Sequence, residues 1–376
     1  PTGTFNYVQL QYSSNGGTSW TNIQQVSAGT HNVQQSYSWQ IPDNIGTNNL
    51  VRVFDPSFPS SVVDTSLGVF NIMGSIDLSA PDGGQVWYYG ETNRNITWSC
   101  HGTINPVKIE LSDDNKGSWS TVTETAAGGG TAGSPYSYTW PSIPDKNKEQ
   151  CFIKVSHPTY SSVIKDESLA AFSIRPQIAV TQPYIDTNIP VLTSGHPIRW
   201  SCTSSTTVST VNLSYAVGGG TSYTTIESNV SVGSGTTYTW SNVPDTMNSV
   251  ANVRVVDTVN ANVYGISPTF HLVGGLTLTA PQGSSTNWEA NSTTNNISWS
   301  KTGTNLTTVN LYYSTNSGST YPNTIATGVT AGTNGSTYTW NMPAGVSNTA
   351  RVKIEDANNT SVYDTSDSDF HIIGKF

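Results

Sequence analysis

The sequence predicts an all-β chain built from tandem antiparallel β-sandwich domains, and three observations carry that prediction. A Tyr-x-Trp pair followed by a proline recurs at Tyr37, Tyr138, Tyr238 and Tyr338, at intervals of 101, 100 and 100 residues. A fixed period of this length marks one folding unit copied end to end. Apolar residues alternate over short stretches bounded by Gly- and Pro-rich turns, the signature of half-buried strands. Only 10% of the 376 residues are charged and the 35% that are hydrophobic are scattered in short pieces, which suits strands and turns better than amphipathic helices.

Each copy opens on an alternating strand: Val8-Leu10-Tyr12, Val107-Ile109-Leu111, Val211-Leu213-Tyr215 and Val309-Leu311-Tyr313. Residues two apart share a face, so each strand turns three apolar groups to one side. A Gly-rich turn and an aromatic residue follow (Trp20, Trp119, Tyr223, Tyr321), which reads as a hairpin. The Tyr-x-Trp strand is stopped by Pro42, Pro144, Pro244 or Pro343, because proline cannot donate to a ladder. A second alternating strand ("VRVFD" at 51, "IKVSH" at 153, "VRVVD" at 253, "VKIED" at 352) leads to a short closing strand around Phe70, Phe172, Phe270 and Phe370.

The later copies carry an upstream segment that the first lacks. It runs from Pro81, Pro183 or Pro281 to the strands Ile96-Thr97-Trp98, Ile198-Arg199-Trp200 and Ile297-Ser298-Trp299. The expected divisions are therefore 1–73, an incomplete domain without its first strands, then complete domains at 74–174, 175–273 and 274–374, with 375–376 as the start of a further repeat or a tail. A chain that opens on Pro1 in mid-copy reads as a processed or excerpted window. The first copy is expected either to be completed by upstream residues or to invite a strand from another molecule at its unpaired edge. About three residues separate Ile72 from Ile76 and Leu272 from Leu276, so consecutive domains are expected to be held close in a fairly stiff series.

Six or seven strands per copy, with no helical pattern between them, fit tandem immunoglobulin-like antiparallel β-sandwich domains. A β-propeller, suggested by the hairpin "SSNGGTSW", fits less well, since the period is twice that of a blade. The ordered motifs "PDGGQVWYYG" at 81, "ITWSC" at 96, "VKIELS" at 107, "YTW" with its proline, "VRVVD" at 253 and "DSDFHI" at 368 resemble the immunoglobulin-like repeat of the Kre9/Knh1 type, the Ser-Thr-rich GPI-anchored family. The third copy departs most, with "NIPVLTSG" in place of the upstream Trp segment. The resemblance implies an extracellular or cell-surface location and a spacer, wall or adhesive role without enzyme activity.

All 11 Trp residues fall into recurring slots: four in Tyr-x-Trp, three in the upstream strand, two in the hairpin and two in an upstream loop. An aromatic repeated once per copy at a strand position reads as core, burying on the order of 150–250 Å². Trp87, Trp288, Trp20 and Trp119 stand in loops or hairpin ends, and they are the candidate glycan-contact aromatics. Trp98 and Cys100 share a strand face, as do Cys151, Ile153 and Val155; if both faces point inward, the sulfurs meet between the sheets, so a Cys100–Cys151 disulfide is expected. Cys202 repeats the Cys100 slot, but Ala251 stands opposite, so a buried thiol is expected there. One bridge fits an oxidising compartment.

The net charge of −9 and pI near 5.0, with no cluster of Lys or Arg, leave no electrostatic footprint for nucleic acid. No run of about 18 apolar residues or signal-peptide core predicts membrane insertion in this window. No G-x-S-x-G, H-E-x-x-H, C-x-x-C or phosphate-cradling loop is present, so neither an enzyme nor a cofactor is expected. Asp55, Asp257 and Asp356 end equivalent strands, with Asp364, Asp367 and Asp369 nearby, which raises calcium binding at the junctions as a candidate; His157 fills that slot in copy two. His271 and His371 share a slot and read as exposed strand residues. Asn95, Asn212, Asn291, Asn296 and Asn305 begin glycosylation sequons, which matter only where the host glycosylates. The expected function is a structural section of a cell-surface array or filament that associates with itself; an adhesin or a glycan-binding stalk is the alternative.

Overall fold

The computed structural model describes residues 6–126, 134–232 and 236–374. Lys375 and Phe376, read above as the start of a repeat or a tail, lie outside them. The chain forms two compact units, Pro1–Pro176 and Gln177–Phe376. All assigned elements are strands, in the immunoglobulin-like sandwich arrangement.

In the first unit, Ser75–Ala80, Arg94–His101 and Pro135–Trp140 make a three-stranded antiparallel sheet. The facing sheet runs Ser120–Ala126, Val107–Ser112, Lys148–Ser156, Phe172–Arg175 and Val86–Tyr88, with Lys165–Glu167 added to Lys148–Ser156. Between them lies one core containing Ile96, Trp98, Ile109, Ile153, Val155 and Phe172. The second unit repeats this design twice, around cores that hold Trp200, Leu213 and Val255, and Trp299, Leu311 and Ile354. Alternation predicts these inward faces: along Asn248–Asp257, Ala251, Val253, Val255 and Asp257 are buried while the residues between them are half-buried.

One strand departs from the antiparallel expectation. Val86–Tyr88, Asn188–Pro190 and Asn287–Glu289, read from sequence as loops, each pair in parallel with the closing strand of their sandwich. In "NIPVLTSG" the pairing puts Ile189, 3% exposed, where the other copies place Trp87 and Trp288. The third copy therefore keeps the element and changes only its core side chain.

The hairpin turns are knit by their own side chains. Ser112 Oγ accepts the Lys116 N–H at 2.9 Å and Asp114 Oδ1 accepts the Ser118 N–H at 2.8 Å. Ser13 with Asn15, and Ser314 with Asn316, make the same pairs. Short polar side chains that bond nearby backbone favour such turns, which is why the motif recurs at this position. The Asp114 carboxyl is drawn down to about 2, first by the Ser118 hydroxyl.

Among described residues 6–73 a single sheet is formed: Thr21–Ser27, Tyr7–Ser13 and Gly46–Phe54, with Val63–Thr65 and Phe70–Ile72 on the last. Tyr37 to Trp39 has no strand partner there.

Candidate functional site

The Tyr-x-Trp tryptophans seal the sandwiches. Trp140, Trp240 and Trp340 are buried, and Tyr215 and Tyr313 of the opposite sheet lie 5.5 and 5.0 Å from Trp240 and Trp340. In the first copy Tyr12 lies 5.2 Å from Trp39, yet Tyr37 is exposed, and the face above them is an open groove of about 610 Å³. Leu10, Ile23, Trp39, Val51 and Val53 line it, with Asp64 and Ser66 at its edge. In the second copy the equivalent face is covered by Ser75–Ala80 and Arg94–His101.

Of the four candidate glycan-contact aromatics, Trp87 is withdrawn into the core and Trp288 packs against the edge of one. Trp87, 4% exposed, meets Trp140 edge-on at 6.1 Å and Phe172 at 5.0 Å. Trp288, half-buried, stands 6.1 Å from Trp340 and 5.3 Å from Phe370. The reason is the parallel strand: its central side chain points between the sheets. Trp20 and Trp119 stay at the hairpin ends, half-buried on the outer sheet face, each with a cation over its ring. Arg52 lies 4.3 Å from the Trp20 centroid, and Lys154 Nζ lies 4.3 Å from that of Trp119. Lys154 also meets Glu110 at 2.8 Å, and Lys108 meets the same carboxylate at 3.2 Å. Burial pushes the Glu110 carboxyl up, but the hydrogen bonds from Lys154 and Lys108 outweigh it and hold it below its ordinary value.

Cys100 and Cys151 are both fully buried in one core, on strands of opposite sheets. Burial pushes the Cys151 thiol up to about 12. Cys202 is half-buried, and its Sγ approaches the Ser204 carbonyl at 2.9 Å.

The acidic slot serves the backbone. Asp55 accepts the Ser57 N–H at 2.8 Å, Asp257 the Asn260 N–H at 3.0 Å and Asp356 the Asn358 N–H at 2.9 Å. His157 does the same work with Nδ1, which accepts the N–H groups of Thr159 and Tyr160 at 2.9 and 3.2 Å. Asp364 accepts the Leu278 N–H at 2.7 Å, and Asp369 pairs with Arg351 at 2.6 Å. Among the described residues no three His, Cys, Asp or Glu side chains gather as a metal site. His371 Nδ1 lies 3.1 Å from Asn287 Oδ1, and His271 Nδ1 meets the Ser249 carbonyl; both residues sit on strands.

Two recurring groups were overlooked in the sequence. Ser66, Ser168, Ser267 and Ser366 each donate the backbone N–H to the long central strand and accept an N–H from it through Oγ, at 3.3, 3.0, 2.9 and 3.0 Å. Their signal was a serine in the same slot of all four copies. Asp166, like Asp364, accepts a strand N–H (Leu78, 2.7 Å) at a bulge of the facing sheet. In the third copy Gly265 stands there, where a Cβ would lie 2.5 Å from the Ile178 carbonyl oxygen.

The class that this architecture defines is a tandem array of immunoglobulin-like β-sandwiches. No protein-family model and no curated protein matches the chain. Among solved structures it aligns with a tetra-tandem repeat in the extending region of a large adhesion protein, over 98% of this chain and 92% of that one, at 16% identity and a TM-score of 0.33. It also aligns with Drosophila OTK extracellular domains 3–5 (80% and 100%, 13% identity, TM-score 0.27) and with Sidekick-1 immunoglobulin domains 1–5 (98% and 74%, 10% identity, TM-score 0.23).

Proposed function

We propose that the chain is a structural, extracellular repeat protein, a section of a cell-surface array or filament whose sandwiches, divided at 74, 175 and 274, associate with further copies of themselves. The observation that supports this most is where the chemistry-bearing side chains go. Aromatics fill cores, and Asp55, Asp257, Asp356 and His157 cap loops of their own copy. Such a molecule invests its polar groups in its own shape. The ordered motifs that resemble the Kre9/Knh1 type agree with a wall or surface role, and low charge with Thr-rich strands suits lateral packing. No described helix is long and apolar enough to cross a membrane. Electron microscopy of the purified chain over a concentration series tests the reading. Ordered strings or layers are expected; dispersed single molecules at every concentration, checked by light scattering, refute self-association.

Trp20 and Trp119 favour one second reading, an adhesive or glycan-binding stalk, because each is a half-buried indole at a hairpin end with a cation over its ring, an aromatic and polar pair of the kind that sugars contact. Saturable binding on a glycan array that is lost in Trp20→Ala and Trp119→Ala supports it, and no binding on the array rejects it.

A further inference from the structure

Within each unit, one copy meets the next through the same small set of groups, which the 100-residue period places in register. In the first unit the Pro42-Asp43 pair ends the Tyr-x-Trp segment. Asp43 Oδ1 accepts the Thr103 N–H at 2.8 Å, and Oδ2 accepts the Thr103 hydroxyl at 2.5 Å. Asp43 is 60 residues before Thr103, so this is a contact between copies. In the second unit the Pro244-Asp245 pair repeats it: Asp245 Oδ1 accepts the Thr304 N–H at 3.1 Å, and Oδ2 accepts the Thr304 hydroxyl. Both bonds of each pair run to one carboxylate, so they set direction as well as distance.

An apolar contact accompanies each carboxylate. Ile45 and Met247 occupy the same slot two residues after the aspartate, and each packs against the core of the following copy. Ile45 closes over Gly74 and Gly102, and Met247 closes over Gly303. A Cβ on Gly74 would lie 2.9 Å from Ile45 Cδ1 and 3.0 Å from Ile104 Cδ1, and one on Gly303 would lie 2.9 Å from Met247 Sδ. Gly102 and Gly303 also have φ of +84° and +94°, a region that suits glycine. Their Cβ positions fall 3.5 and 3.2 Å from the Cα of the linker glycines Gly74 and Gly274, so the two backbones touch. The Thr103 bonds hold the Asp43 carboxyl below its ordinary value, the side-chain bond contributing most.

We propose that these groups form an interlocking joint, in which a carboxylate-and-apolar socket at the trailing pole of one copy receives the Gly-Thr loop of the next and fixes their mutual orientation. The surface that a copy's trailing pole recognises is thus a glycine with positive φ, a threonine and an aliphatic residue (Ile104 or Leu306). In the fourth copy the slot reads Pro343-Ala344-Gly345-Val346, which keeps the exposed aliphatic residue and lacks the carboxylate. The joint stands whether or not the chain assembles into larger arrays.

The test uses the full chain with spin labels on keto amino acids at the exposed positions Thr21 and Thr121, or Thr225 and Thr324. Double electron–electron resonance then reads the spread of distances between neighbouring copies. A narrow distribution is expected, at least doubling in width in Asp43→Ala or Thr103→Val for the first pair and in Asp245→Ala for the second. Asp43→Asn, which keeps an oxygen acceptor, is expected to stay closer to the unmodified chain. Gly303→Val, which drives a side chain into Met247, is expected to shift the mean distance of the second pair. Hydrogen exchange of the core strands serves as the folding control and is expected to be unchanged. A broad distribution in the unmodified chain, or a width that Asp43→Ala and Asp245→Ala leave unaltered, overturns the joint.

Discussion

Replacing Ser168 with alanine tests whether the recurring serine ties the edge of each sandwich to its central strand. Ser168 Oγ accepts the Ile153 N–H at 3.0 Å and donates to the Pro81 carbonyl at 2.7 Å, and the serine has 0% exposure. Alanine removes the acceptor of one buried N–H and the donor of one buried carbonyl, without opening a path for water to either. An unsatisfied buried group costs about 1–3 kcal/mol, so a loss of about 2 kcal/mol is a conservative value for the pair. At tenfold per about 1.4 kcal/mol, amides that exchange through opening of this sandwich speed up about 30-fold. Hydrogen exchange with mass spectrometry reads this on peptides from Lys148–Ser156, and Asn248–Asp257 in the other compact unit is the internal control. An acceleration below about threefold, or an equal rise in the control peptides, refutes the reasoning.

The other expectations concern the same sandwiches. In protein secreted through an oxidising compartment, peptide mapping without reduction is expected to recover Cys100 linked to Cys151; recovery of both as alkylatable thiols after unfolding rejects the bridge. In reduced protein, the Cys151 thiol, pushed to about 12 by burial, is expected to resist alkylation at pH 8 until the chain is unfolded. Burial lowers the His157 pKa, so as pH falls below the ordinary value of 6.5 the unfolded chain takes up this proton first. The contribution of His157 to stability is therefore full above about pH 6.5 and lost as pH falls towards the folded value, a dependence that urea midpoints should show and His157→Asp should reduce. Gly265→Ala would drive a Cβ to 2.5 Å from the Ile178 carbonyl oxygen and is expected to cost about 1–3 kcal/mol, read as a lowered urea midpoint; an unchanged midpoint contradicts the close approach.

The sequence by itself determined the all-β class, the 100-residue repetition and the inward faces of the main strands. These are local matters: side-chain alternation along Val211-Leu213-Tyr215 or Val253-Val255 states which face is apolar, and a proline or glycine states where a strand must end. Repetition then distinguished core tryptophans such as Trp98, Trp200 and Trp299 from candidate surface ones. Only tertiary structure decided the fate of Trp87 and Trp288, because a three-residue strand carries too little periodicity to be told from a loop, and its parallel partner lies about 85 residues away. The serine and aspartate ties were hidden for a related reason. Ser, Thr and Asp abound in this chain, and nothing in their local sequence says that Ser168 faces Ile153 or that Asp43 reaches Thr103. Those partners are set by which sheets pack and how one copy abuts the next, a relation that exists only once the chain has folded.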